Sequence, residues 1–434
     1  KISEVDAICA GEAYQSFINV LLNWEKRFEL DMPDFWFKHE NGEVKKNKLT
    51  PFYHGSAFEK VPIPDFSYTN YHLLDGDKLR DISDTPDAGP FRVEQHQIGH
   101  EGTIIYSSMA GCSNHCSFCN LTAQFQLRKA QGDSEIVRPF RYKPLNIVEK
   151  ELEALVKYNK NMKFLCVMEN DFACRNEKEL KKYCELINSI CKVPFYTMVS
   201  PNTINENKLK VMVDSGLREI NMGIQTNSEF NKKYYDRQFT DEKVLEVVSM
   251  INKYKDSIYP FYDFINFNPE EPNDSILKTI DLIRQFPLPF DFVIHHLTLG
   301  EELLLYKRLI KEKKVPGDEV KKTNLSDYHN LNFDDYKNWG TFYLNLFLEW
   351  IAGPHNKEWA GRIPKKIDKL KSMNFGKKLF ENDKVKTIKI ESGVDIFTLF
   401  TTGTLFDILN NHDNRDFLKE LNNLLPTLKY TNQQ

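Results

Sequence analysis

From about residue 100 onward, short apolar runs rich in β-branched residues alternate with longer segments in which apolar residues recur every three or four positions. The short runs are typical of buried strands, and the longer segments are typical of helices with one apolar face. This pattern predicts six strands, over residues 103–107, 163–168, 194–199, 218–222, 262–266 and 292–297. Because strands that alternate with helices pair in parallel, we predict an α/β fold built from six strand–helix units.

Residues typical of helix ends fall between the predicted strands. Asn146, with Glu149 three positions further on, forms the pattern of a capping box for a helix over residues 146–158. Thr240 precedes two acidic residues, a combination that favours the start of another helix. Gly216 suits the left-handed position that follows a helix, so we expect one helix to stop there.

Six strand–helix units are too few to close an eight-stranded barrel, so we predict a partial, TIM-like (β/α)6 barrel. In barrels the loops after the carboxyl ends of the strands carry the chemistry. Residues 1–100 contain a possible strand over 5–9, a helix over about 13–24 and a hairpin signal at Asn41-Gly42, whereas the residues after about 300 follow mostly helical spacing. We therefore expect a partial barrel with a further segment at each end.

The composition narrows the class of protein. The 434 residues are 41% apolar and 28% charged, enough for a large core in two or three domains of roughly 150 residues each. A net charge of −4 does not point to nucleic acid or an anionic membrane as a partner. No apolar run reaches the roughly 20 residues that span a bilayer, and the eight cysteines lack the spacing of a secreted disulfide framework. We expect a cytoplasmic protein.

Three cysteines, Cys112, Cys116 and Cys119, follow the first predicted strand, separated by three residues and then by two. A structural zinc site uses four ligands in a tetrahedron, whereas a four-iron four-sulfur cluster takes one thiolate for each iron. Three cysteines leave one iron without a protein ligand, so the spacing favours a cluster at which a small molecule binds and reacts. Zinc, with His115 or a distant cysteine as the fourth ligand, is the alternative.

This spacing, with the aromatic Phe118 before the third cysteine, resembles the defining motif of the radical S-adenosylmethionine (SAM) enzymes. The resemblance implies that the open iron of the 4Fe-4S cluster chelates the amino and carboxylate groups of SAM and that Phe118 borders the adenine. It implies further that an electron donor such as flavodoxin or ferredoxin reduces the cluster. SAM is then cleaved to methionine and a 5′-deoxyadenosyl radical, which abstracts a hydrogen atom from an unactivated position.

Polar segments after three further strands extend the resemblance. Glu169 and Asn170 resemble the segment that lies beside the SAM amino group in these enzymes. Ser200 occupies the position where a polar group meets the ribose or the carboxylate, and Gly223 and Gln225 resemble the segment near the adenine and ribose. Because each segment follows a predicted strand, a barrel would bring them to one rim.

The N-terminal segment resembles a subgroup, the cobalamin-dependent radical SAM enzymes. Residues 5–12 are similar to the last strand and turn of a Rossmann-like cobalamin-binding domain, and residues 62–65 are similar to its connector. Such a domain needs on the order of 100 residues, so we expect most of it to be missing. The predicted organisation is a remnant of the cobalamin-binding domain with its connector over residues 1–70, the radical SAM partial barrel over 71–300 and a mainly helical region over 301–434.

For this subgroup the resemblance implies methylation of an unactivated centre, with cobalamin carrying the methyl group. A small molecule or a peptide is the expected substrate, and neither nucleic acid nor a membrane is expected as a partner. Two alternatives stay open: a radical rearrangement, cyclisation or oxidation without methyl transfer, and a non-catalytic iron–sulfur or zinc-binding module. The sequence assigns no catalytic residue, and for the adjacent His295 and His296 it favours a structural role.

Overall fold

The computed structural model describes residues 5–12, 14–67, 71–75, 77–81, 102–130, 140–266, 268, 270–283, 285–287, 289–297 and 299–312. Most of the region predicted to be helical, 301–434, lies outside these residues. The chain divides into two compact units. Within the described residues, the first contains the chain up to Met198, Asn207–Arg218 and Glu302–Leu304, and the second contains Val199–Glu206, Glu219–Glu301 and the residues from Leu305 onward. The three predicted domains stay a prediction.

The first unit begins with a small antiparallel sheet and a helix. Strand β1 (Ala7–Cys9) pairs with β2 (Phe35–Lys38), and β2 pairs with β3 (Val44–Lys46) across the hairpin predicted at Asn41-Gly42. Helix α1 (Tyr14–Leu22) lies between β1 and β2 in the chain. Buried apolar side chains form the core of this part: Val20, Met32, Phe35 and Phe37. The assignment of this segment to a cobalamin-binding domain stays a prediction.

The next part of the chain contains the strands and helices on either side of the cysteines. Their bounds are β4 (His72–Asp75), β5 (Lys78–Asp81), β6 (Thr103–Tyr106), β7 (Met109–Gly111), α2 (Asn120–Ala130), β8 (Phe140–Tyr142), α3 (Leu145–Tyr158), β9 (Phe164–Val167), α4 (Glu177–Cys191), β10 (Phe195–Val199) and α5 (Glu206–Asp214). The antiparallel pairs β4–β5 and β7–β8 were not predicted. Strands of three or four residues are too short to show a clear alternating pattern.

The remaining described elements continue the order of strand and helix. They are β11 (Leu217–Gln225), α6 (Ser228–Phe230), α7 (Asp241–Asn252), β12 (Tyr259–Asn266), α8 (Asn273–Ile283), β13 (Asp291–His296) and α9 (Leu304–Lys311). Tyr262 of β12 is buried against Phe286 and Phe290, which follow α8. Because side chains alternate along a strand, Asp263 lies on the opposite face. Each helix among the described residues is too short or too polar to cross a bilayer.

Six strands form one sheet in the order β13-β12-β11-β10-β9-β6. The pairs β6–β9, β9–β10, β11–β12 and β12–β13 are parallel. Each of these strands overlaps one of the six predicted from the apolar runs, and helices connect them. The predicted fold class is therefore confirmed as a parallel half-barrel sheet of six strands in an α/β chain.

The predicted capping box at the start of α3 is wrong. The helix begins at Leu145, one residue earlier than expected, and Pro144 takes the cap position without a side-chain hydrogen bond. The Pro144 carbonyl accepts the N–H of Ile147. Proline is well tolerated at the start of a helix, because the N–H that it lacks would have no partner inside the helix there. As a result, Asn146 lies inside the first turn and cannot cap it with Glu149.

Two other predicted helix ends are confirmed. The Thr240 hydroxyl accepts the N–H of Lys243 at 3.2 Å ahead of α7. Gly216, after α5, has a φ of 105°, in the region that favours glycine. These ends could be predicted because each depends on a residue type acting within its own turn of the chain.

We expect Gly216→Ala to lower the free energy of unfolding by about 1 kcal/mol or slightly more, because a side chain strains the backbone at this φ. The added Cβ would have room, since its nearest contact is the Val193 carbonyl oxygen at 3.8 Å. Equilibrium urea unfolding measures the change. A variant as stable as the parent chain would contradict the left-handed conformation.

Candidate functional site

The three predicted metal ligands lie in one loop between β7 and α2. Cys112 directly follows β7, and α2 begins at Asn120, directly after Cys119. The Cys119 N–H donates to the carbonyl of Cys116 at 3.1 Å, which tightens the turn between these two residues. Cys116 is buried, and the other two are half-buried. All three thiols therefore come from a short loop that is fixed by a strand at one end and a helix at the other.

Cys112 has the most defined surroundings of the three. The backbone N–H of Asn114 donates to Cys112 Sγ at 3.4 Å, and the Asn114 side-chain amide lies 3.8 Å from the same sulfur. Burial raises the pKa of the Cys112 thiol, the Asn114 backbone N–H lowers it, and the Asp171 carboxylate raises it. A metal that binds this thiol must displace its proton.

The donor set of this loop is three thiols, the type of ligand that an iron–sulfur cluster takes. Among the residues that the structure describes, no three His, Cys, Asp or Glu side chains converge to hold one metal ion. A zinc site needs its sulfur ligands about 2.3 Å from one point, whereas a 4Fe-4S cluster takes one thiolate at each of several irons. His115, the alternative zinc ligand, is exposed and lies beside the ring of Phe125. Three thiols in one loop thus fit an iron–sulfur cluster.

Three consecutive residues after β9, Glu169-Asn170-Asp171, bind the segment that enters the cysteine loop; we call them the strap. Each makes a hydrogen bond to that segment: Ser108 Oγ to Glu169 at 2.6 Å, Asn170 Nδ2 to the Gly111 carbonyl at 2.9 Å, and Ser113 Oγ to Asp171 at 2.7 Å. Residues 111 and 113 are the chain neighbours of Cys112. The strap therefore fixes the chain on both sides of the first cysteine.

Glu169, which the resemblance placed beside the SAM amino group, is fully buried. Both terminal nitrogens of Arg175 donate to its carboxylate, and the Tyr183 hydroxyl donates to it at 3.0 Å. The Arg175 guanidinium also lies over the Tyr183 ring, 4.2 Å from its centroid. The carboxylate is thus engaged inside the protein and presents no exposed oxygen to a ligand. The contact expected between Glu169 and the SAM amino group stays a prediction, and the neighbouring Asn170 is exposed.

Ser200, expected near the ribose or carboxylate of SAM, directly follows β10. Its side chain is 2% exposed, and its hydroxyl oxygen has no hydrogen-bond partner among the described residues. A buried hydroxyl without a partner is costly unless a ligand or a water completes its hydrogen bonding. This hydroxyl is therefore suited to a bound polar ligand.

Gly223 and Gln225 lie in a bulge near the end of β11, which extends three residues beyond its predicted end. The register with β12 shifts between them, and Gln225 has a φ of 74°. A Cβ on Gly223 would lie 2.6 Å from Gln225 Nε2, so glycine leaves the space that the Gln225 side chain uses. Arg237 donates to the Gly223 carbonyl at 2.7 Å, and the Asn231 amide donates to the Ile224 carbonyl at 2.9 Å. Sequence reasoning missed Arg237 and Asn231, because no spacing rule links them to a bulge.

On the face of β11–β13 that carries Asp263, His295 lies beside Asn221 and Asp263, which the sequence analysis did not single out as site residues. Asn221 Nδ2 donates to Asp263 Oδ1 at 2.9 Å, and His295 Nε2 lies 3.5 Å from the same oxygen. The Asp263 carboxylate raises the pKa of His295, while burial lowers it. The His295 side chain is 54% exposed. The second unit therefore contains an accessible imidazole held by a carboxylate, an arrangement suited to proton transfer.

Residues 106–283 match the family model of the Radical SAM superfamily. The match begins at the last residue of β6, contains the cysteine loop and ends at the last residue of α8. This part of the chain is a radical SAM domain, as expected from the cysteine motif, whereas the cobalamin-dependent subgroup stays a prediction.

Among curated proteins, the chain is similar to a tRNA-2-methylthio-N(6)-dimethylallyladenosine synthase from Sulfurihydrogenibium sp. (strain YO3AOP1). Identity is 23% over 242 residues, which cover 52% of this chain and 54% of that protein. A protein of the same name from Petrotoga mobilis (strain DSM 10674 / SJ95) is 23% identical over 223 residues, 49% of this chain and 47% of that protein. The chain spans about half the length of the curated relatives it matches. Whether this chain shares their activity is therefore considered only as a proposal below.

Two solved structures illustrate the similarity in three dimensions. OxsB, a cobalamin-dependent S-adenosylmethionine radical enzyme, is 18% identical with a TM-score of 0.48, over 71% of this chain and 40% of that chain. TsrM, a radical S-adenosylmethionine methyltransferase from Kitasatospora setae, is 12% identical with a TM-score of 0.49, over 71% of this chain and 54% of that chain. At these values neither similarity indicates what this chain binds or methylates.

Proposed function

We propose that this chain is a radical SAM enzyme that holds a 4Fe-4S cluster through Cys112, Cys116 and Cys119 and cleaves SAM reductively. The observation that carries the proposal is the position of these three thiols in one loop of a radical SAM domain. When bound, the cluster supplies the electron that splits SAM into methionine and a 5′-deoxyadenosyl radical. Each of the three thiols must lose its proton to bind iron.

Other residues of the chain would orient SAM and exclude water from it. Ser200 is the best supported of these, because its buried hydroxyl has no partner among the described residues. Asn170 stays a candidate for the amino group, since its side chain is exposed. Gly223 and Gln225 would border the adenine and ribose, and Phe118 would border the adenine.

Methyl transfer to an unactivated centre is the reaction we propose, with cobalamin as the methyl carrier. Its support is the similarity of residues 5–12 and 62–65 to cobalamin-dependent radical SAM enzymes. The proposed acceptor is a small molecule or a peptide in the cytoplasm, and the proposed electron donor is a flavodoxin or a ferredoxin. Label from the methyl group of SAM would enter the product of a methyl transfer but not that of a rearrangement or an oxidation.

A second candidate is addition of a methylthio group to a nucleic-acid base. One observation favours it: two curated relatives named for such a product match about half of this chain. The net charge of −4 does not favour a polyanionic substrate. Mass spectrometry of the product separates the two candidates, since a methylthio group adds a sulfur atom that a methyl group lacks.

The proposal predicts that Cys116→Ala abolishes SAM cleavage. The chain is reconstituted anaerobically with iron and sulfide and then given SAM and dithionite, and 5′-deoxyadenosine is measured by liquid chromatography and mass spectrometry. We expect 5′-deoxyadenosine from the parent chain and only background from Cys116→Ala, because loss of one of three thiolates removes an iron ligand. Cys191→Ala is the matched control: this thiol is also buried but lies at the end of α4, and cleavage should persist.

Two results would contradict the proposal. One is a parent chain that binds zinc tightly, takes up no iron and forms no 5′-deoxyadenosine; this favours the zinc-binding module. The other is undiminished cleavage by Cys116→Ala with full iron content, which places the cluster elsewhere.

A further inference from the structure

Asp171 is the member of the strap that contacts the chain directly beyond the first cysteine. Its carboxylate accepts the Ser113 hydroxyl at 2.7 Å, and Ser113 follows Cys112 in the sequence. The Asp171 side chain is fully buried, although it carries a group that water would solvate well. A buried carboxylate at this position has both a geometric and an electrostatic consequence for whatever Cys112 binds.

The geometric consequence follows from the two bonds that flank Cys112. Asn170 holds the Gly111 carbonyl on one side, and Asp171 holds the Ser113 hydroxyl on the other. The same strap is anchored by Glu169, whose carboxylate is paired with the buried Arg175. Two fixed neighbours restrict the positions that the sulfur of Cys112 can take.

The electrostatic consequence concerns reduction. One-electron reduction adds a negative charge to a cluster, and the potential for that step depends on nearby charge, hydrogen bonds and solvent exposure. Because Asp171 is buried, its charge is screened less than a surface charge would be. A carboxylate beside the first cysteine therefore opposes reduction. A lower potential makes the reduced cluster a stronger electron donor.

We propose that Asp171 is a positioning residue of the cysteine loop whose charge lowers the reduction potential of the cluster. This inference rests on the proposed function, since it requires that Cys112 ligate iron. It adds a residue outside the three-cysteine motif, and it separates two effects of one side chain, the hydrogen bond to Ser113 and the negative charge.

Two substitutions separate these effects. Asp171→Asn removes the charge but retains a side-chain oxygen that can accept the Ser113 hydroxyl. Ser113→Ala removes the hydrogen bond and leaves the charge of Asp171 in place. Glu153→Gln on α3 is the matched control: this carboxylate is exposed, so its substitution changes the net charge equally without changing the loop.

The test is a redox titration of the reconstituted full chain with dithionite as reductant, followed by electron paramagnetic resonance, with iron counted per chain. For Asp171→Asn we expect a midpoint potential less negative than that of the parent chain, at the same iron content. Glu153→Gln should match the parent. Ser113→Ala should shift the potential in the opposite direction or leave it unchanged, with a broader signal or less iron, because the loop is less well fixed.

Two outcomes would overturn the inference: an unchanged potential in an iron-loaded Asp171→Asn chain, or equal positive shifts in Asp171→Asn and Ser113→Ala, which would assign the whole effect to the hydrogen bond. If Asp171→Asn fails to load iron while Glu153→Gln loads it, the Asp171 carboxylate is needed to assemble the cluster rather than to set its potential, and the inference is also overturned. If the parent chain takes up no iron, the proposed function itself is wrong. Failure of the proposed function can therefore be distinguished from failure of the inference about Asp171.

Discussion

Replacing Arg175 with methionine should lower the free energy of unfolding by about 3–5 kcal/mol, because the change leaves a buried carboxylate without its cation. The side chains of Arg175 and Glu169 are 4% and 0% exposed. Arg175 also donates to the Ser108 hydroxyl at 3.1 Å. The hydroxyls of Ser108 and Tyr183 that remain would not neutralise the charge. The buried Glu169 carboxylate would then lack its counter-charge, and this weakens the strap.

The measurement is equilibrium urea unfolding of the metal-free chain, so that cluster loading does not enter the result. The double variant Arg175→Met/Glu169→Gln serves as the rescue, since it removes both charges and leaves side chains of similar volume; most of the loss should be recovered. Lys181→Met breaks an ion pair with Glu185 in which both side chains are more than half exposed, and it should change stability little. A small loss in Arg175→Met, close to that of Lys181→Met, would show that the buried pair is not needed to hold the strap.

The same residues show where prediction from the sequence ends. The three cysteines could be recognised because their spacing lies within a single loop, and the six strands could be recognised because burial imposes a pattern on neighbouring residues. The surroundings of Glu169 could not be recognised in this way. The sequence places an acidic residue after a strand. Only the structure shows that Arg175 donates to its carboxylate and that the hydroxyls of Ser108 and Tyr183 complete its hydrogen bonds.

Contacts between separate strands mark a second limit. Asp263 lies beside His295 because β12 and β13 pair in parallel, with Ile265 opposite His295. Asp263 and His295 are 32 positions apart in the sequence, and no spacing rule predicts a contact over that separation. The bulge at Gly223 and Gln225 is similar, since it is held by Asn231 of a later helical segment and by Arg237 of the loop after that segment. Motifs that act within one turn or loop are therefore predictable, whereas a site completed by strand register needs the structure.

Glu271 offers a prediction about pH that depends on burial alone. Its side chain is 3% exposed, and its carboxyl oxygen accepts the hydroxyls of Thr226 at 2.6 Å and Ser275 at 2.7 Å. Burial raises the pKa of Glu271 from 4.5 to about 7, and the two hydroxyl hydrogen bonds only partly offset it. Between these two values the folded chain binds a proton that the unfolded chain has lost. The contribution of Glu271 to stability therefore falls as the pH rises through this interval.

We expect Glu271→Gln to gain stability relative to the parent chain as the pH is raised from about 5 to about 8, by on the order of 3 kcal/mol. The amide oxygen can still accept both hydroxyls, while its buried N–H groups cost a similar amount at every pH. The predicted quantity is therefore the increase with pH of the difference in the free energy of unfolding between Glu271→Gln and the parent chain. Urea unfolding at several pH values measures it. Subtracting the parent chain removes the contribution of Asp291, whose pKa burial also raises to about 7. For Glu246→Gln, at an exposed position on α7, the difference in stability from the parent chain should not change with pH. If the stability difference between Glu271→Gln and the parent chain also stayed constant with pH, the prediction would be wrong. The Glu271 carboxyl group would then be ionised in the folded chain throughout this pH range, with Thr226 and Ser275 stabilising the carboxylate as well as water does.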